Sequence, residues 1–210
     1  MVKFWTDASN TKMYKDWVGG ITQGLLLQGG LYNDKPLYNF LDDNLADIGA
    51  MQRFVNVGLA NVLSGVWVDF DLTKDFMSVM KGSFAYAGMF APLKAMNSEW
   101  FAGSSIWDLD AFSAINECKR LGYKYEDIHV DMILTSEKNL KVVDPSNLKT
   151  IGMVWRFLHV NRYYNQMDGV LRAQFAYPTV DFCIISPEQS IDDGILPLVS
   201  SIQKTNLFVV

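Results

Sequence analysis

Between Asp34 and Ile185 the apolar residues change period several times, and each change limits what its segment can become. Residues 34–48 place Leu37, Phe40 and Leu41 on one helical face, continued by Leu45 and Ile48. Asn33 or Asp34 is the expected N-cap, and Pro36 falls in the first turn, where proline is tolerated. In residues 62–71, Val66, Val68 and Phe70 alternate with Trp67, Asp69 and Asp71, the pattern of a half-buried strand. Residues 73–81 read as a short helix capped by Thr73. A helix over 109–121 carries Leu109, Phe112 and Ile115 at helical spacing and stops at Gly122.

Ile128, Val130, Met132, Ile133 and Leu134 then form an apolar run of the kind expected of a buried central strand. A polar stretch follows, with Asp144-Pro145-Ser146-Asn147 as a turn and helix start. The longest helical segment runs from Leu148 to about Ala176, with Ile151, Val154, Trp155 and Leu158 as its buried stripe. Arg156, Arg162 and Arg172 lie off that stripe and are expected to be solvated. Val180, Phe182, Ile184 and Ile185 make a last strand, and 195–204 a short final helix. Strands alternating with helices define an α/β domain, with a mainly parallel central sheet flanked by helices.

Composition narrows the function classes. A chain of 210 residues is long enough for one domain with a sizeable core. A net charge of −5 opposes binding to nucleic acid, which needs a basic surface. Cys118 and Cys183 cannot make a disulfide framework and read as buried free thiols, which favours a reducing, intracellular setting. No secretory signal pattern and no run of eighteen apolar residues is present, so neither export nor a transmembrane segment is expected.

Local chemistry is sparse. The histidines are His129 and His159. His129 and Asp131 share a strand face, yet two ligands without a third make no metal site, and no metal or cofactor is expected. His159 reads as a helix-surface or packing residue. The pairs Asp42-Asp43 and Asp192-Asp193 flank helices and read as solvated or helix-end charges. The serine elbow Gly-x-Ser-x-Gly is absent: Ser64-Gly65 lacks the preceding glycine, and Ser104 and Ser105 lack the closing one. The doublets Gly19-Gly20 and Gly29-Gly30 read as turn punctuation.

One constellation points to a family. The run from Gly82 to Leu93 includes Ser83, Ala85, Met89, Phe90, Ala91 and Pro92, and Trp100-Phe101-Ala102-Gly103-Ser104 follows it. Together they resemble the patatin-like phospholipases, in which a segment of this type precedes an aspartate in an Asp-Gly-Gly or Asp-Gly-Ala turn. That aspartate pairs with a serine in a catalytic dyad. The resemblance extends from about residue 24 to about 187. It includes Gly30-Leu31-Tyr32-Asn33-Asp34-Lys35-Pro36-Leu37, which looks like the family's Gly-Leu-Tyr-Asp helix opening, and the stretches 61–72, 111–115, 126–135 and 177–187.

It implies a patatin-like α/β fold across residues 1–210, a single partial domain lacking the N-terminal portion with the oxyanion loop and nucleophile elbow. It also implies that Ala102 occupies the dyad aspartate position, with Gly103 and Ser104 completing the turn. Alanine carries neither charge nor lone pair and cannot activate a serine. Asp108 and Asp110 stand where the family has asparagine and proline, and they are the nearest carboxylates that a bypass could use. Phe84, Tyr86, Met89 and Phe90 are the candidates for an acyl pocket, with core packing as their competing role.

The expectation is therefore a non-catalytic structural or interaction module. Its alternatives are part of a serine lipid acyl hydrolase whose nucleophile lies outside this chain, and a lipid carrier. A protein partner or larger assembly is expected to cover the N-terminal sheet edge and the apolar end Leu207-Phe208-Val209-Val210.

Overall fold

A computed structural model of the chain describes residues 6–7, 13–46, 53–136, 138–144, 146 and 148–188. The chain forms two compact units, Met1–Ile106 and Trp107–Val210. Together they are a mixed α/β structure.

The first unit begins with a short helix, α1 (Gly20–Leu27), inside an excursion closed by the bridge between Lys15 and Asn33. Helix α1 meets the returning chain at Gly24, where a Cβ would stand 2.3 Å from the Leu31 carbonyl oxygen. Helix α2 (Lys35–Leu45) starts at Asp34, has proline in its first turn and buries Leu37, Phe40 and Leu41. The side chain of Asn33 accepts a hydrogen bond from the Lys35 N–H at 3.0 Å, so the expected entry to this helix is present.

Strands β1 (Asn56–Asn61) and β2 (Trp67–Asp71) form an antiparallel hairpin. The single strand expected over 62–71 is thus a loop and a strand. Asn61 folds the loop by accepting from the Leu63 and Ser64 N–H groups, and Gly65 adopts φ +70°. Helix α3 (Phe76–Phe84) starts after Asp75, whose side chain makes no capping hydrogen bond, rather than at Thr73. Strands β3 (Leu93–Ala95) and β4 (Ser98–Ala102) form a second hairpin through Met96 and Asn97, both at positive φ, as a tight two-residue turn requires. The sheet order is β2-β1-β4-β3, and every pairing in it is antiparallel. Leu59, Leu72, Val79 and Trp100 form its core, with Phe70 edge-on to Trp100 at 5.0 Å.

In the second unit, helix α4 (Ala111–Arg120) starts where Asp110 accepts from the Ser113 N–H at 3.1 Å. It stops at Gly122, whose φ of +95° suits only glycine. Strands β5 (His129–Ile133) and β6 (Asp181–Ile185) pair in parallel, joined by the 27-residue helix α5 (Thr150–Ala176). The core gathers Ile115, Met132, Val170 and Ala173, with Val130 and Phe182 packed against it.

The expected mainly parallel central sheet is not what the described residues form: the larger sheet is antiparallel, and only the β5–β6 pair is parallel. Strand β5 is not buried on both faces: Met132 is covered, whereas Ile133 is 70% exposed. The buried stripe of α5 also lies elsewhere. Val154 and Leu158 are exposed, and the covered positions are Gln166, Gly169, Val170 and Ala173. The helix reaches its core with its C-terminal half because that half lies against α4 and the sheet. The side chain of Ile151, the Pro145 and Asn147 turn positions, Asp192-Asp193, the helix at 195–204 and the apolar end at 207–210 lie outside the described residues.

Candidate functional site

Strand β4 ends at Ala102 and the chain turns at once into a single 3-10 turn, Gly103–Ser105. Ala102 pairs with Leu59 of β1, donates its N–H to the Ala85 carbonyl at 2.9 Å and is 3% exposed. Its methyl group is thus buried in protein. Gly103 is confined on both sides, because an added Cβ would lie 2.3 Å from the Gly58 carbonyl oxygen and 2.7 Å from the Trp67 Nε1. Ser104 is exposed. Ser105 accepts the Ala87 N–H on its Oγ at 3.3 Å, so this hydroxyl braces the neighbouring loop.

That loop contains the four aromatic and sulfur side chains singled out by the sequence. Tyr86 accepts the N–H groups of Met89 and Phe90, each at 3.0 Å, and Gly88 at φ +83° completes the turn. The Gly30-Leu31-Tyr32 strip holds it from the other side: Leu31 and Tyr32 donate to the carbonyls of Gly88 and Met89. Met89 and Phe90 are buried, while Phe84 and Tyr86 are half-buried. These four residues and the Ala102 turn lie in the same unit.

A polar cluster ties α2 to α3 nearby. Lys81 bridges Asp42 at 2.7 Å and lies 5.8 Å from the Tyr38 ring centroid. Asp42 is thus an ion-pair member rather than a bare helix-end charge. Burial raises the Tyr38 hydroxyl pKa, and the adjacent Asp34 carboxylate raises it further. Burial likewise raises the Asp34 pKa, and the neighbouring Tyr38 hydroxyl partly offsets this.

The two carboxylates proposed as substitutes for the dyad aspartate are both engaged in the second unit. Asp110 caps α4. Asp108, whose side chain is 9% exposed, accepts from Arg162 Nε at 3.1 Å and from the Gln166 amide. Gln166, 3% exposed, also donates to Thr135 Oγ1 at 2.8 Å and accepts the Ser136 N–H at 3.1 Å. Arg162 reaches the same Thr135 hydroxyl at 2.9 Å. This network anchors the loop after β5 to α5, and sequence reading did not find it. Arg162, expected to be solvated, is instead half-buried and a structural anchor.

At the opposite end of β5, His129 sits between two carboxylates. Its Nδ1 is 2.7 Å from Asp181 and its Nε2 is 3.1 Å from Asp131. Those hydrogen bonds raise the His129 pKa. Both ring nitrogens are committed to carboxylates, so neither is free for a metal. Among the described residues no group of His, Cys, Asp and Glu is placed to hold a metal ion, and no helix is long and apolar enough to cross a membrane. His159 is half-buried on α5. Cys118 is half-buried and Cys183 is exposed, which corrects the expectation of two buried thiols. A scan against protein-family models and a search of curated proteins both find no match to this chain.

Proposed function

We propose that this chain is a non-catalytic patatin-like domain, corresponding to the C-terminal two-thirds of such a domain, and that it serves as a structural or interaction module. The single observation that carries the reading is Ala102. At the position where the resemblance places the dyad aspartate stands a buried methyl group on a paired strand. It offers no proton acceptor, and the serine at Ser105 spends its hydroxyl on a backbone N–H. Asp108 and Asp110 are occupied as a network member and a helix cap, which leaves the hydrolase alternative without a specific observation in its favour.

An interaction role is supported by α1. Val18, Ile21, Leu25, Leu26 and Leu27 are all exposed on this short helix and the turn before it. Apolar residues grouped in this way mark contact surfaces rather than ordinary solvent-facing helix. The proposed partner is a protein.

The test is intact mass after treatment with a fluorophosphonate serine probe, together with turnover of short- and long-chain acyl esters. The expected result is an unlabelled chain and no turnover, with Ala102→Asp equally silent. A probe adduct on this chain, or ester cleavage by it, overturns the reading in favour of a lipid acyl hydrolase. Retention of a fatty acid through native purification would favour a carrier built around Phe84, Tyr86, Met89 and Phe90.

A further inference from the structure

Helix α5 is apolar on two opposite sides, and the core of its unit uses one of them. Successive residues of an α-helix turn by about 100°, so the buried Gln166, Val170 and Ala173 share one side. Met153, Val154, Phe157, Tyr164, Leu171 and Phe175 fall within about 100° of one another on the opposite side. These six are 51–85% exposed. A helix whose outer side faces only water carries polar residues there. At about 150–200 Å² for a residue of this size, the stripe leaves roughly 550–750 Å² open on each chain. An apolar patch of that area marks a contact surface.

The stripe is laid out almost symmetrically about Tyr164. Phe157 and Leu171 stand seven residues before and after it, and Val154 and Phe175 stand ten before and eleven after. The polar positions follow the same rule: Asn161 lies three before and Asp168 four after, and both are exposed. A two-fold contact requires this layout, because residue i of one copy meets residue j of the other and j meets i. Two α5 helices that cross antiparallel at Tyr164 set Phe157 against Leu171 of the other copy, and Val154 against Phe175. Asn161 then faces Asp168, and its amide can donate to that carboxylate. A parallel pair would set Asp168 against Asp168, carboxylate against carboxylate, so charge selects the antiparallel arrangement. Covering the stripe on both copies removes roughly 1,100–1,500 Å² from water, above the ~1,000 Å² that a specific interface needs.

We infer that the outer side of α5 is a two-fold interface, and that its occupant is the α5 of a second copy of this chain running antiparallel. The inference goes beyond the interaction role proposed from α1 and rests on a different helix.

Sedimentation equilibrium of the full chain tests it. The expected mass rises towards twice the 23.8 kDa of one chain between about 1 and 100 μM. A mass of 23.8 kDa throughout overturns the inference. Phe157→Glu places a carboxylate on the stripe and is expected to raise the dimer Kd at least about tenfold, with the far-UV circular dichroism unchanged. Leu26→Asp, on α1, is expected to leave the Kd as it is. The reverse pattern, with Leu26→Asp dispersing the dimer and Phe157→Glu sparing it, overturns the inference by assigning the contact to α1. Because Phe157→Glu could act by loosening α5 itself, a second variant reads the contact by its sign. Asn161→Lys sets an ammonium against Asp168 of the other copy and is expected to lower the Kd about two- to fivefold at low salt. An unchanged or raised Kd for Asn161→Lys overturns the antiparallel pairing.

Discussion

Replacing Gln166 by alanine removes three hydrogen bonds from a buried polar network. The amide of Gln166 donates to Asp108 and Thr135, and its oxygen accepts the Ser136 N–H. A neutral hydrogen bond contributes about 1 kcal/mol, and one to a charged group about 1.5–3 kcal/mol. Ser136 is buried, so its N–H becomes an unsatisfied donor at a cost of about 1–3 kcal/mol. Releasing the glutamine side chain from its fixed rotamer returns up to about 2 kcal/mol of entropy. With the entropy returned in full, the balance is a loss of about 1.5–5 kcal/mol.

Urea unfolding followed by tryptophan fluorescence reads this as a lower midpoint at unchanged slope. Asp108→Asn, Gln166→Ala and the double variant form a cycle whose coupling should exceed about 0.5 kcal/mol, because the two side chains share a bond. A loss under about 0.5 kcal/mol for Gln166→Ala would refute the reasoning. It would mean that water replaces the amide and that the network is not a buried anchor.

Gly103→Ala forces a methyl against the Gly58 backbone oxygen and should cost about 1–3 kcal/mol, measured by the same unfolding assay. Ile115→Ala empties a fully buried position in the second unit and should cost about 2–5 kcal/mol, measured by the same assay. His129 donates from both ring nitrogens only as the imidazolium, and its folded pKa lies above the ordinary 6.5. Its contribution is therefore fully present below about pH 6.5 and is lost as pH rises through the raised folded value. A melting-temperature profile from about pH 5 to 9 should carry this decline, and His129→Gln should remove it.

What the sequence made legible was local. Helix α2 follows from Pro36, Asn33 and a Leu37-Phe40-Leu41 face, and α4 from Asp110 and Gly122, all close in sequence to what they control. Both strands of the parallel pair were also legible as apolar runs. Strand β1 was not, because Asn56, Gly58 and Asn61 break its alternation and its partners lie across a turn. The burial of α5 was misjudged for a related reason. Its N-terminal half has the better amphipathic pattern, but the face that is covered depends on where α4 and the sheet stand. The Asp108–Gln166 contact joins residues 58 apart, and no local spacing encodes it. At the Ala102 turn, the sequence named the residues, and the geometry added the confinement of Gly103 and the brace at Ser105.

The two sheets also differ in how far apart their partners lie along the chain. In the first unit, Ala60 pairs with Trp67 across a short loop, a closure of the kind completed in microseconds. In the second, His129 meets Asp181 across 52 residues, so the entropy of a long closure precedes any gain from pairing. Helix α5 occupies most of that interval and can form from its own local bonds, which shortens the flexible chain left to close. The order of assembly follows: hairpins and α5 early, the parallel pair late. Substitutions that weaken α5 then slow folding, while those confined to the β6 side of the pair mainly speed unfolding.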